Sequence, residues 1–169
     1  MRYEIDYLSR SENTKKLADA VEKLFPVRDT EIIDLLHEEP TADADVYVII
    51  FSFNKGTVPL KIMDMLDLLE GKTILFLVTL GANVPSDYQD VVEPKITLFL
   101  PADCDYRGVF LCKGAFPESV IAAAEKQLKA DPDNEYAHMV SECCHQAKGH
   151  PDRIDMENAC EFVRSQLQL

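Results

Sequence analysis

The sequence predicts an α/β chain in which a parallel sheet is covered by helices on both faces. Three observations carry this. Short apolar runs alternate with helical patterns along the whole chain, the signature of stacked βαβ units. One run, Val46-Tyr47-Val48-Ile49-Ile50-Phe51, is apolar without interruption, as expected of a strand buried on both faces. And 169 residues, 47% hydrophobic and 28% charged, fit one domain over residues 1–169 with a core that needs no staples.

In chain order, residues 2–8 read as the first strand. Residues 12–25 follow as a helix with Leu17, Ala18, Val21, Leu24 and Phe25 on one face. A short second strand lies near Glu31-Ile32-Ile33, and the run from Val46 is the third. Ile62, Met65, Leu66 and Leu69 define the next helix, closed by Gly71. Thr73 to Val78 give a fourth strand and Tyr106 to Cys112 a fifth. Between them a helix is expected over 86–100, kinked or split by Pro94. Three helices follow, at about 117–130, 133–148 and 155–168. Their apolar stripes include Val120, Ile121, Ala124 and Leu128, then Tyr136, Val140, Cys143 and Ala147, then Met156, Ala159, Cys160 and Val163. Glu4 and Asp6 alternate with Tyr3, Ile5 and Tyr7, so one face of the first strand is expected to be only partly covered. Right-handed crossovers then distribute the helices over both faces of the sheet.

Composition narrows the function. A formal net charge of −13 argues against nucleic acid or an anionic membrane as partner, since phosphate contacts need Lys and Arg. It suits docking to a basic protein. No run approaches the roughly 18 apolar residues of a membrane span. The N-terminus, Met1-Arg2-Tyr3-Glu4-Ile5-Asp6, carries charges where a signal peptide needs an apolar stretch, which leads to a cytoplasmic expectation. Cys104, Cys112, Cys143, Cys144 and Cys160 form no C-x-x-C pair and read as free thiols. Cys143-Cys144-His145 with His150 nearby lacks zinc spacing, and no metal is expected.

In an open sheet of this kind ligands bind at the carboxyl ends of the strands. The loops there read Ser9-Arg10-Ser11-Glu12-Asn13-Thr14, then Ser52-Phe53-Asn54-Lys55-Gly56-Thr57, then Thr79-Leu80-Gly81-Ala82-Asn83. The first packs four hydrogen-bonding side chains into six positions at a helix N-terminus, where free N–H groups and the helix dipole favour an anion. Plain capping needs only one such residue. The loop is neither G-x-G-x-x-G nor Gly-Lys-Ser/Thr, so a dinucleotide or a nucleoside triphosphate is disfavoured.

The stretch Tyr7-Leu8-Ser9-Arg10-Ser11-Glu12-Asn13-Thr14 resembles the phosphate loop of flavodoxins, Ser/Thr-x-Ser/Thr-Gly-Asn-Thr at the end of the first strand. The second loop, with an aromatic and a glycine, and the third, Thr79-Leu80-Gly81-Ala82, extend the likeness. Gly149-His150-Pro151-Asp152 resembles a subgroup of small flavodoxin-like proteins. The resemblance implies a three-layer α/β/α flavodoxin-like fold with strand order 2-1-3-4-5, and FMN as cofactor. It implies that Ser9, Ser11, Asn13 and Thr14 hold the phosphate and that Phe53 meets the isoalloxazine ring, though a core role suits a phenylalanine there equally. It further implies that the Gly56 carbonyl turns toward flavin N5 on reduction, and that Thr79 and Gly81 line the pyrimidine edge. Glu12 replaces the family glycine, and Asn83 and Val84 stand where flavodoxins often place an aromatic shield, with Tyr88 beyond Pro85.

Two functions of different class follow. The first is an FMN-binding electron-transfer protein, shuttling electrons between redox partners and docking to a basic partner such as a reductase. The second is an accessory or binding module of the same fold with weak or lost flavin binding, which Glu12 and Asn83 favour. A reductase acting on a small molecule would need an acid–base pair in the three loops. His37, His138, His145 and His150 all fall outside them. A phosphoacceptor receiver would need an Asp at the end of the third strand, where the chain reads Phe51-Ser52-Phe53-Asn54.

Overall fold

A computed structural model of the chain describes residues 1–53, 56–81 and 88–169. Five strands, β1 (Tyr3–Tyr7), β2 (Thr30–Asp34), β3 (Val46–Ser52), β4 (Thr73–Leu80) and β5 (Asp105–Lys113), form one sheet. All four pairings are parallel and the order is β2-β1-β3-β4-β5, as expected. Among the described residues six α-helices accompany it: α1 (Asn13–Val21), α2 (Leu60–Leu66), α3 (Tyr88–Thr97), α4 (Glu118–Ala130), α5 (Glu135–Ala147) and α6 (Arg153–Leu167).

Alternation along the strands divides the core. Ile5, Tyr7, Val48, Ile50, Leu75 and Leu77 face Leu17, Ala18 and Val21 of α1 and Ala159 and Val163 of α6. Tyr47, Ile49, Phe51, Phe76 and Val78 face Ile62, Met65 and Leu66 of α2 and Val92 and Ile96 of α3. The period of two puts successive side chains of a strand into different layers, so β3 and β4 must be apolar throughout. At the edge, β5 carries one extra residue relative to β4 between Ile74 and Phe76. Gly108 absorbs the irregularity at φ 109°, and the Phe162 ring packs 3.5 Å from where its Cβ would be.

Four expectations need correction. Glu4 and Asp6 are not on a partly covered face; both are fully buried. Glu4 is satisfied, accepting from the Thr41 N–H at 3.0 Å and from the Thr41 hydroxyl. The carboxyl oxygens of Asp6 have no partner among the described residues. Burial, and then the neighbouring Glu4 charge, push the Asp6 carboxyl up to about 9, so it is protonated near neutrality. Second, Pro94 does not split α3, which runs through it from Tyr88 to Thr97. Third, α2 ends at Leu66 and turns bring Leu69 into the core before Gly71, at φ 71°, reverses the chain. Fourth, the buried stripe of α5 is Ala137, Cys144 and Ala147, while Tyr136 is exposed. This helix packs mainly on α4 rather than on the sheet, and the hairpin contact selects a different face.

Candidate functional site

β1 ends against β3, with the Leu8 N–H donating to the Ile50 carbonyl at 2.9 Å. The chain then turns into α1 through Glu12, which stands in the left-handed region at φ 62°, ψ −5°. That is the position of the family glycine, and the backbone there adopts the conformation that glycine accepts without strain. Glu12 provides no side-chain cap. The first helical bond runs from the Lys16 N–H to the Glu12 carbonyl at 3.1 Å. No described group accepts from the N–H groups of Asn13, Thr14 or Lys15, so this end of α1 offers three donors and the positive end of the dipole.

The side chains expected to share that work divide. Thr14 is fully buried and its hydroxyl donates to the Leu8 carbonyl at 3.0 Å, closing the loop on itself. The Asn13 carboxamide donates to the Ala115 carbonyl at 2.7 Å and to Ser11 Oγ at 3.2 Å. Ser9 is buried beside them. Ser11 is exposed and lines the cavities. The loop is therefore braced by Thr14 and Asn13, and Ser11 is its exposed hydroxyl.

Across from it, the Ser52 and Thr79 hydroxyls lie 2.7 Å apart at the adjacent ends of β3 and β4. Gly114, just past β5, lets the β5–α4 loop run close against Thr79: a Cβ there would lie 2.9 Å from Thr79 Cβ and 3.2 Å from Thr79 Oγ1. Ser11, Asn13, Ser52, Thr79, Gly81 and Phe116 surround a small cavity of about 40 Å³. A second cavity, of about 380 Å³, adjoins it through Ser11 and Ser52 and is lined by Arg10, Thr57, Leu60 and Pro117. Its volume is that of small-molecule sites, which begin at roughly 300 Å³.

Four predicted site residues, Ser11, Asn13, Thr79 and Gly81, thus meet in one place. Phe53 lines neither cavity; it belongs to the core with Phe51, Val58 and Ile62, and its N–H donates to the Thr79 carbonyl at 2.9 Å. Gly56 takes φ 73° on an exposed turn with open space around it. Asn83 and Val84 lie outside the described residues. Sequence reasoning missed the contribution of the β5–α4 loop, Gly114, Ala115 and Phe116. The signal was available, because this loop also leaves the carboxyl edge of the sheet.

Near it, His150 Nδ1 and Asp155 Oδ2 are 2.6 Å apart, and Asp152 lies within 4.8 Å of both. These groups are occupied by the start of α6. Asp152 accepts from the Ile154 and Asp155 N–H groups at 2.8 and 3.0 Å, and Asp155 accepts from the Asp152 N–H at 2.9 Å, a reciprocal cap. No helix among the described residues is long and apolar enough to cross a membrane.

The chain is similar to BilS of Clostridium symbiosum (strain WAL-14163), a flavodoxin-like domain-containing protein. The two are 25% identical over 184 positions, spanning 99% of this chain and 96% of that protein. The fold is similar to that of Streptococcus pneumoniae TIGR4 flavodoxin, with a TM-score of 0.51 and 14% identity over 87% of this chain and 97% of that one. It is equally similar to general stress protein 14 of Treponema denticola, solved in complex with FMN. There the TM-score is 0.51 at 14% identity, over 94% of this chain and 99% of that one. Residues 4–164 match the flavodoxin domain model, and the chain belongs to that family.

Proposed function

We propose that the chain binds FMN at the carboxyl edge of the sheet and carries electrons between redox partners in the cytoplasm. The observation that carries the reading is the α1 N-terminus, where three N–H groups have no described partner in a loop braced by its own side chains. That arrangement suits a terminal phosphate, and a negative group there needs no cation. The larger cavity leads away from it through Ser11 and Ser52, with room for the remainder of the ligand. FMN, when bound, supplies reversible one- and two-electron chemistry.

The residues of the chain then have separable tasks. The backbone of Asn13, Thr14 and Lys15 holds the phosphate, and Ser11 adds a hydroxyl at the rim. The Ser52–Thr79 hydroxyl pair presents polar atoms in an otherwise apolar strand end. Gly56 keeps a backbone conformation in which its peptide reorients at low cost. With 30 acidic against 17 basic residues, the surface attracts a basic partner such as a reductase.

A second reading, an accessory module with weak flavin binding, is favoured by one observation. Glu12 holds a left-handed backbone without glycine's freedom and puts a carboxylate beside the phosphate position. Stopped-flow reduction of the FMN-loaded protein by a flavin reductase, at low and high salt, tests electron transfer. Fast transfer that slows as salt rises supports the carrier, because steering is screened within about 10 Å at 0.1 M. FMN that leaves the protein before it is reduced supports the accessory module.

A further inference from the structure

We propose that Glu4 and Asp6 share one proton, and that this pair is the latch for the segment that crosses over them. The described residues 35–45 carry the chain from β2 to β3 through turns and irregular backbone, without an α-helix. Because β1 lies between β2 and β3 in the sheet, this segment has to cross β1. It does so on the face of Glu4 and Asp6, where Leu35 and Ala44 are buried and Thr41 is bonded to Glu4.

The hydrogen bonds assign the proton. Glu4 accepts on both oxygens, from the Thr41 N–H at Oε1 and from the Thr41 hydroxyl at Oε2, which suits a carboxylate. Asp6 is flanked in register by Ile33 and Ile49, and no described group donates to either of its oxygens. The side chain within its hydrogen-bonding reach is Glu4, itself an acceptor. Two ionised carboxylates would meet there with lone pairs and like charge only. One proton, held on Asp6 and donated to Glu4, removes both conflicts. The other titratable groups that bear on the pair are acidic as well: Tyr47 from β3, Asp43 from the crossing segment, and Glu31 beside Glu4 on β2. Neither carboxyl has an ion-pair partner among the described residues.

The crossing segment depends on that proton. Ala42 stands at φ 56°, a left-handed backbone that a residue with a Cβ keeps only where its surroundings hold it. On one side the hold is Thr41 on Glu4; on the other, the Ala44 N–H donates to the Tyr47 hydroxyl at 3.0 Å. Lys61 of α2 ties the earlier part, at the Glu38 carbonyl and the Glu39 carboxylate. When Asp6 loses its proton, repulsion between the two carboxylates displaces Glu4 from Thr41. Residues 40–43 then open while the sheet stays folded.

The test is carbon-13 NMR of the side-chain carboxyls, joined to hydrogen exchange over the crossing segment. At pH 7 Asp6 is expected to show the shift of a carboxylic acid and Glu4 that of a carboxylate. The Glu4 carboxyl carbon should also move between H2O and D2O, because it accepts the shared proton. From pH 7 to pH 10, exchange protection at the Thr41 and Asp43 amides is expected to fall about tenfold more than protection in β4. That excess should vanish in Asp6→Asn, whose amide donates to Glu4 at every pH. Two ionised carboxyls at pH 7, two protonated ones, or a Glu4 carbon indifferent to deuterium would overturn the shared proton. An equal fall in protection in the wild type and Asp6→Asn would overturn the latch. The carboxyl spectrum needs only the wild-type chain, so it decides even where the variant does not fold.

Discussion

Asp6 and Glu12 sit on either side of the end of β1, and the fold treats their two carboxyl groups in opposite ways. Asp6 lies inside the sheet with an ordinary strand backbone, and its cost is that of a buried carboxyl group with no partner among the described residues. Glu12 keeps its carboxylate in solvent, and its cost is in the backbone at φ 62°. Only the second penalty falls at the proposed phosphate site. Strain at Glu12 belongs to an exposed turn at the start of α1, whereas the penalty at Asp6 belongs to the core and reaches a ligand only through global stability.

The largest effect should come from Asp6. Between its ordinary value of 3.8 and its folded value of about 9, the carboxyl is protonated in the folded chain and ionised in the unfolded one. The unfolded state binds fewer protons, so stability falls as pH rises through that window, by up to about 1.4 kcal/mol per pH unit. Urea unfolding of wild type and Asp6→Asn at pH 5 and pH 8 should show the variant gaining on the wild type by about 4 kcal/mol across the interval. Parallel pH dependences would mean that Asp6 is ionised inside the fold.

Gly114 sharpens the contrast, being a position where neither side chain nor backbone can give. Its missing Cβ abuts Thr79, which is 2% exposed, and the Asn13 carboxamide. Gly114→Ala is expected to destabilise by about 1–3 kcal/mol through overpacking and to weaken FMN by separating Thr79 from Asn13. An alanine variant as stable as the wild type would show that the β5–α4 loop moves freely.

The smallest effect on stability is expected at Glu12. Glycine there removes the left-handed penalty, about 1 kcal/mol, and Glu12→Gly should raise the unfolding midpoint accordingly. Removing a carboxylate beside the phosphate adds to affinity, giving about a tenfold tighter FMN complex that depends partly on salt. A tightening independent of salt would assign the whole effect to backbone.

The order of elements was legible because the apolar runs of β3 and β4 admit few other readings. The β1–α1 loop stood out in the sequence by its density of hydroxyls. Other features depend on contacts between distant segments. Nothing near Glu4 in sequence reveals Thr41, which satisfies it once β1 is inside. The stripe of α5 was misread at Tyr136 because periodicity identifies a face only when the partner is known, and here the partner is α4. Asn13 looked like a ligand group, but its amide is claimed by Ala115, a residue 102 positions away.

The central claim is that the α1 N-terminus and the adjoining cavities hold FMN, and an absorbance spectrum tests it most directly. The purified chain is mixed with excess FMN, desalted and scanned, beside a sample mixed with riboflavin. The account predicts flavin bands that survive desalting with FMN and are weaker with riboflavin, since the phosphate carries part of the affinity. A colourless protein after desalting from FMN, or equal retention of the two flavins, would contradict it.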